Sequence, residues 1–210
     1  MKIGLFPLNL VLFPESIYPL HIFEDRYKLL VNESLEFKSK FGIIFSSDNS
    51  LAHFGCTAKV HEIIKKYPDG KLDLSVIGHE KFKLNRYEES EDSYAIGEIE
   101  LISDVVEPIE DNLLNDCIEL FNFITNKIPV FRVQKTKKED LIDKTASYYF
   151  AQKVGLIGKQ KQHLLEMNSE NERLAFLKEH LERIKPSVSK AIEIEKIIRN
   201  DGYLSPGDIK

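Results

Sequence analysis

The chain has 210 residues, enough for one large domain or a small domain with an annex, and enough to bury a core of useful size. Hydrophobic residues at 42% and charged residues at 30% describe an ordinary soluble globular protein, and a net charge of −5 works against nucleic acid or anionic lipid as a partner. With only Cys56 and Cys117 present there is no disulfide framework, and a reducing cytoplasm suits the composition.

The N-terminal apolar run after Lys2 is interrupted by Pro7, Asn9 and Pro14 and lacks a small-x-small site, so it reads as structure and not as a signal peptide. No apolar run approaches the roughly 20 residues of a membrane span. Leu8, Leu10 and Leu12 alternate with Asn9, Val11 and Phe13, which predicts a strand bracketed by Pro7 and Pro14. After the loop from Pro14 to Pro19, a short second strand over Leu20 to Phe23 gives way to a helix. Asp25 suits that helix's first turn, and Tyr27, Leu30, Val31 and Leu35 supply its apolar face.

FGIIF at 41–45 reads as a buried strand, followed by a polar loop at 46–50. From Gly55, Cys56, Ala58 and Val60 alternate with Thr57, Lys59 and His61 as a half-buried strand. Tyr67-Pro68-Asp69-Gly70 is a turn, with Pro68 presetting φ and Gly70 permitting the left-handed conformation. Leu72, Leu74 and Val76 mark the return strand, and 78–82 and 94–99 add strands on either side of an acidic loop at 88–93. Many short strands at close spacing predict a small barrel or sandwich.

Beyond Pro108 the period changes. Leu113, Leu114, Cys117, Leu120, Phe121 and Ile124 predict a helix of about four turns. A charged, solvated connection at 134–140 leads to a helix over 146–154, then to a third over 159–167. Ser169 and Glu172 form a capping-box pattern opening a helix striped by Leu174, Leu177, Leu181 and Ile184, with Pro186 expected to close it. The remainder, 187–210, reads as one more short helix ending near Asn200, then a tail.

Several of these segments carry a family resemblance. FPLNLVLFP at 6–14, PLHIFEDRY at 19–27, FGIIF, PDGKL, GHEKFKL, GLIGKQKQHLLE at 155–166 and ERLAFLKEHL at 172–181 resemble the N-terminal, substrate-binding domain of Lon protease over about residues 3–185. The resemblance implies an α+β fold: a PUA-like β-barrel over 1–107, a helical subdomain over 108–185, and an extension at 186–210 outside it. Asp25 stands where the family often has proline, and both residues suit a helix's first turn.

The chain has no G-x-x-x-x-G-K-[ST] loop and no recognisable serine–lysine protease segment. The resemblance therefore implies a stand-alone, non-enzymatic recognition module, needing no cofactor, whose partner is a polypeptide, either an unfolded segment or a partner protein. Two other classes stay open: an RNA-binding module, since PUA-like domains include RNA binders, and a small-molecule-binding regulatory domain. Net acidity argues against the first.

Phe13, Pro14, Ile17, Tyr18 and Pro19 place apolar side chains in a connection where polar ones would cost less. They either lid the barrel end or form an apolar wall for an extended peptide, and the second use makes Phe13, Ile17 and Tyr18 the candidate peptide-binding residues. Glu24 and Arg26 read as a charge pair fixing the strand-to-helix corner, a structural role in preference to a reactive one. His53, Cys56 and His61 lack the ligand spacing of a zinc site, so no metal is expected, and Cys56 on an apolar face behaves as a small hydrophobe.

Overall fold

A computed structural model describes residues 1–48, 50–89, 93–126 and 134–200, with backbone alone at 192 and 194–200. Two compact units divide the chain. One comprises Met1–Glu107 with Leu156–Glu170, the other Pro108–Gly155 with the chain from Asn171 onward.

The first unit is built on six strands, β1 (Lys2–Leu8), β2 (Ile17–Ile22), β3 (Phe41–Ser47), β4 (Ser50–Lys66), β5 (Leu72–Glu88) and β6 (Ile96–Leu101), with helix α1 (Asp25–Glu36) between β2 and β3. They hydrogen-bond in the order β2-β5-β4-β3-β1-β6, and β6 pairs again with β5, so five strands form a closed circuit from which β2 branches. Among the described residues only β1 and β3 run parallel.

Strand β5 makes the branch possible. Its first part, Leu72–Ile77, lies between β2 and β4, and its later part, Phe82–Glu88, pairs with β6, with Phe82 and Lys83 also paired to β4. Register shifts in the β4–β5 ladder at Cys56/Ala58, Val60/Glu62 and Ile63/Lys65 supply the extra bend and twist that two 17-residue strands need to serve both neighbours. The turn joining them is the one the sequence predicts: Gly70 takes φ +81° and its N–H bonds the Tyr67 carbonyl at 3.0 Å. Within the circuit, Leu5, Ile44, Phe82 and Ile99 form one apolar cluster, while Val31, Phe41, Ile43, Leu74 and Val76 form a second with Tyr27 and Leu30 of α1. Leu35, expected on the same helix face, is 38% exposed, and Ser34 takes the buried position.

The strand expected over 8–13 is displaced. β1 spans Lys2–Leu8, and the chain from 9 to 16 carries no strand. Val11, Leu12 and Phe13 are buried consecutively, and this segment packs into the core as a loop. Pro7 sits inside β1. Leu5 sends its N–H to Ala95, and N–H directions alternate along a strand, so position 7 faces the same side, past the last β6 pairing at Gly4. A missing donor there costs the ladder nothing.

Helix α4 (Gly158–Glu166) packs with the strands, although the sequence places it among the helices following Pro108. The cause is tertiary. A Cβ at Gly158 would stand 2.9 Å from the Phe45 ring, Gln162 bonds the Phe54 carbonyl at 3.1 Å, and buried Lys81 reaches the Met167 carbonyl at 2.7 Å and Asn168 at 2.8 Å.

The second unit contains α2 (Asp111–Thr125), a 3-10 turn (Lys138–Leu141), α3 (Ala146–Ala151) and α5, whose helix runs Glu170–Asn200. Leu174, Leu177 and Leu181 are fully buried, as their stripe predicts. Phe121 of α2 packs on Phe150 of α3 at 4.8 Å, and the buried Arg173 bonds Ser147 at 2.9 Å. Pro186 does not close α5. It removes one backbone bond, to the Glu182 carbonyl, from a helix that continues through residues of good helix propensity such as Lys190, Ala191 and Glu193. The separate short helix expected after 187 is thus the end of α5. The expected tail from 201 lies outside the described residues, as do positions 90–92 of the acidic loop.

Candidate functional site

The loop that delivers the chain to β2 is locked at both ends. Ser16 Oγ accepts the Phe13 N–H at 3.1 Å and donates to the Phe13 carbonyl at 2.6 Å. Glu15, at φ +63°, sends its N–H to the Gly78 carbonyl, and Gly78 returns its own to Ser16 at 3.0 Å. The three sequence candidates separate here. Phe13 is 1% exposed and belongs to the core, whereas Ile17 and Tyr18 are 51% and 42% exposed at the start of β2. Phe13 therefore supports the surface from beneath and does not line it.

Ile17 and Tyr18, being adjacent in a strand, point to opposite faces. Tyr18 shares its face with Leu20 and Ile22, which sink progressively into the core. Ile17 begins the other row, continued by Pro19, His21 and, just past the strand, Phe23, all exposed. The cross-strand partners under this row on β5 are Ile77, Ser75 and Asp73. At about 3.3 Å per residue the row is roughly 20 Å long.

Among the described residues β2 pairs on one side, with β5, so its other edge is open. The Ser16 carbonyl faces β5, and across its trans peptide the Ile17 N–H faces away, which places positions 17, 19 and 21 with their backbone groups on the open edge. Pro19 has no N–H to offer there. A proline in the middle of a free edge disfavours addition of a further strand and leaves the row of side chains as the accessible feature.

One polar constellation stands in the row. His21 Nδ1 lies 2.6 Å from Asp73 Oδ1, and the Tyr67 hydroxyl donates to Asp73 Oδ2 at 2.7 Å. Those two contacts, His21 first, hold the Asp73 carboxyl below the usual carboxylate range. The Phe23 ring stacks on His21 at 6.0 Å and Tyr67 meets it edge-on at 6.0 Å.

Glu24 and Arg26 lie next along the chain. The Glu24 carboxylate accepts from Arg26 at 2.8 and 3.1 Å, while the Glu24 carbonyl accepts the Tyr27 and Lys28 N–H groups that open α1. The guanidinium sits 4.7 Å from the Tyr27 ring centre, which in turn stacks on Phe6 at 4.1 Å. The Glu24 hydrogen bond pushes the Arg26 pKa up, and burial does the same to Tyr27. The pair also borders an open cavity of about 480 Å³ lined in addition by Pro7, Tyr87 and Glu89. Each charge of the Glu24–Arg26 pair thus meets the other between β2 and α1.

Among the described residues no group of three or more His, Cys, Asp or Glu side chains converges as a metal site. His53 and His61 are exposed on β4, whereas Cys56 is fully buried and its thiol is pushed up to about 12 by burial. A thiol so held is protonated and unreactive at neutral pH.

Known proteins share this fold. Residues 2–183 match the model of the ATP-dependent protease La (LON) substrate-binding domain. The chain belongs to the Lon substrate-binding domain family. Two solved structures resemble it across nearly their full length. A Lon N-terminal domain protein from Xanthomonas campestris, 22% identical, superposes with a TM-score of 0.66 over 84% of this chain and 96% of that one. The N-terminal domain of Mycobacterium avium complex Lon protease, 12% identical, gives 0.64 over 87% and 98%. At those identities the likeness establishes the Lon N-terminal fold, α+β as the sequence resemblance implies.

Sequence reasoning paired Ile17 with Tyr18 and passed over His21 and Phe23. The signal was available: from position 17, every second residue reads Ile, Pro, His, Phe, which puts the four on one face of a strand. Placing the strand's start at Leu20 hid it.

Proposed function

We propose that this Lon substrate-binding domain protein is a non-catalytic binding module, working in the cytoplasm, that holds polypeptide, an unfolded segment or a partner protein, on the apolar surface of β2. The observation that carries this reading is the exposure of Ile17, Tyr18 and Phe23 on and beside an edge strand whose approach loop is locked by Ser16 and Gly78. Large apolar side chains held out on a rigid support are a cost to a monomer and a gain to a complex. Tyr18 adds a flat apolar face with a hydroxyl, a combination favoured at binding hot spots.

The test is the double substitution Ile17→Ser with Tyr18→Ser, measured against reduced, carboxymethylated lactalbumin. The melting temperature should stay within a few degrees, since exposed substitutions usually cost about 0.5 kcal/mol or less. Affinity should fall about tenfold, the equivalent of roughly 1.4 kcal/mol. Binding that falls only in proportion to a reduced folded fraction would show that these side chains are a lid on the core and overturn the reading.

A further inference from the structure

We infer that His21 is the polar anchor of this surface, accepting at Nε2 a hydrogen bond from a backbone N–H of an extended apolar client segment. The inference rests on the polypeptide-binding reading above and adds to it a residue and an atom.

The Asp73 carboxylate can only accept, so the proton in the 2.6 Å contact belongs to His21 Nδ1. A neutral imidazole with Nδ1–H must carry a lone pair at Nε2. The tautomer is fixed further back as well, because the Tyr67 hydroxyl donates to the second oxygen of Asp73 and holds the carboxylate in place. Phe23 on one side and Tyr67 on another set the plane of the ring. The His21 side chain is nonetheless half-exposed, and among the described residues its Nε2 has no partner. The result is a hydrogen-bond acceptor of defined direction, held in the middle of an apolar row.

The neighbourhood selects the occupant. Among the described residues Lys28 pairs with Asp25, Lys71 pairs with Asp69, and Lys65 lies over the Tyr67 ring. The other members of the row, Ile17, Pro19 and Phe23, carry no side-chain donor or acceptor, so Nε2 is the one hydrogen-bonding atom this row presents and it seeks a donor. An extended backbone supplies donors at every second residue on one side, and its alternate side chains repeat at about 6.6 Å, the spacing from Ile17 to Pro19 to His21 to Phe23. A client in that conformation can place apolar side chains against Ile17 and Phe23 while one of its N–H groups meets Nε2.

Two variants test the anchor with the same lactalbumin probe at about pH 8. His21→Phe keeps a ring and removes the acceptor. Asp73→Asn keeps the ring and reverses it: the Tyr67 hydroxyl claims the amide oxygen, the amide nitrogen then donates to Nδ1, and the proton moves to Nε2. Nitrogen-15 NMR of the imidazole should report Nδ1–H in the unmodified protein and Nε2–H in Asp73→Asn. Both variants should weaken binding by about three- to tenfold, the range of one net hydrogen bond, at unchanged folded fraction. If both bind as tightly as the unmodified protein while the Ile17/Tyr18 double variant is weakened, the anchor is wrong and the surface reading stands. If none of the three is weakened, both fall. Loss of a self-association seen by sedimentation, with client binding intact, would assign His21 to a contact between copies and overturn the inference.

Discussion

Gly78 and the Phe13 carbonyl approach so closely that a Cβ at position 78 would lie 2.2 Å from that oxygen and 3.1 Å from Cys56 Sγ. Gly78 also exchanges backbone bonds with Glu15 and Ser16, so this one contact seats the loop that launches β2. Gly78→Ala should destabilise the protein by about 1–3 kcal/mol, the usual cost of forcing a methyl into a filled core. Because the strain falls beneath β2, client affinity should drop as well. Urea denaturation and a binding titration on the same variant check both effects, and an unchanged midpoint would show that the loop can yield.

Lys81 offers a second measure of what holds the first unit together. Its side chain is 2% exposed and its ammonium bonds Asp104 at 2.8 Å as well as Met167 and Asn168. Lys81→Met removes the charge while keeping the stem, and takes the ammonium donor away from all three acceptors. The expected loss is about 3 kcal/mol, the lower end for breaking a buried pair, since Asp104 retains access to water. Denaturant unfolding gives the number.

Stability should depend on acid through Glu80. Hydrogen bonds from Lys40 and then Thr57, the latter at 2.6 Å, hold its carboxyl below the usual range. A carboxyl with a depressed folded-state pKa contributes stability above its unfolded value, and that contribution is lost as pH falls through the folded value. Glu80→Gln should therefore be less stable than the unmodified protein at about pH 7, with the difference shrinking as pH drops below about 4. Unfolding curves taken across that range check the convergence.

The thiols provide a probe of opening. Cys56 and Cys117 are both fully buried, and burial raises Cys56 to about 12. Neither should react with a thiol reagent at about pH 8 faster than the protein opens, and both should react at once in denaturant. Rapid labelling of Cys56 in the native state would contradict the packing under Gly78.

Much of the architecture was legible from local pattern. The Tyr67–Gly70 turn, the helix opening at Asp25, the buried FGIIF strand and the leucine stripe of α5 each arise from side-chain chemistry within a few residues, and the motifs that run through them carried the family. The errors share a cause. Leu10, Leu12 and Phe13 looked like a strand because a loop that plugs a core needs apolar residues as much as a strand does. Pro186 looked like a stop because propensity records the cost of a proline and not the helical preference of the residues beyond it.

Which residues of β2 share a face can be read from the sequence, because strand periodicity is a local property of the backbone. The sequence could not say which face is covered. That was decided by packing: Leu20 and Ile22 join the cluster of Tyr27, Leu30, Leu74 and Val76, which leaves Ile17, Pro19, His21 and Phe23 as the wetted row. Tertiary structure likewise brought His21 to Asp73, 52 residues away, and Asp73 to Tyr67 across the hairpin. Hydrogen bonds between residues so far apart depend on the register of paired strands, and register is set by the bulges and burial of the whole sheet and not by the residues that end up in contact.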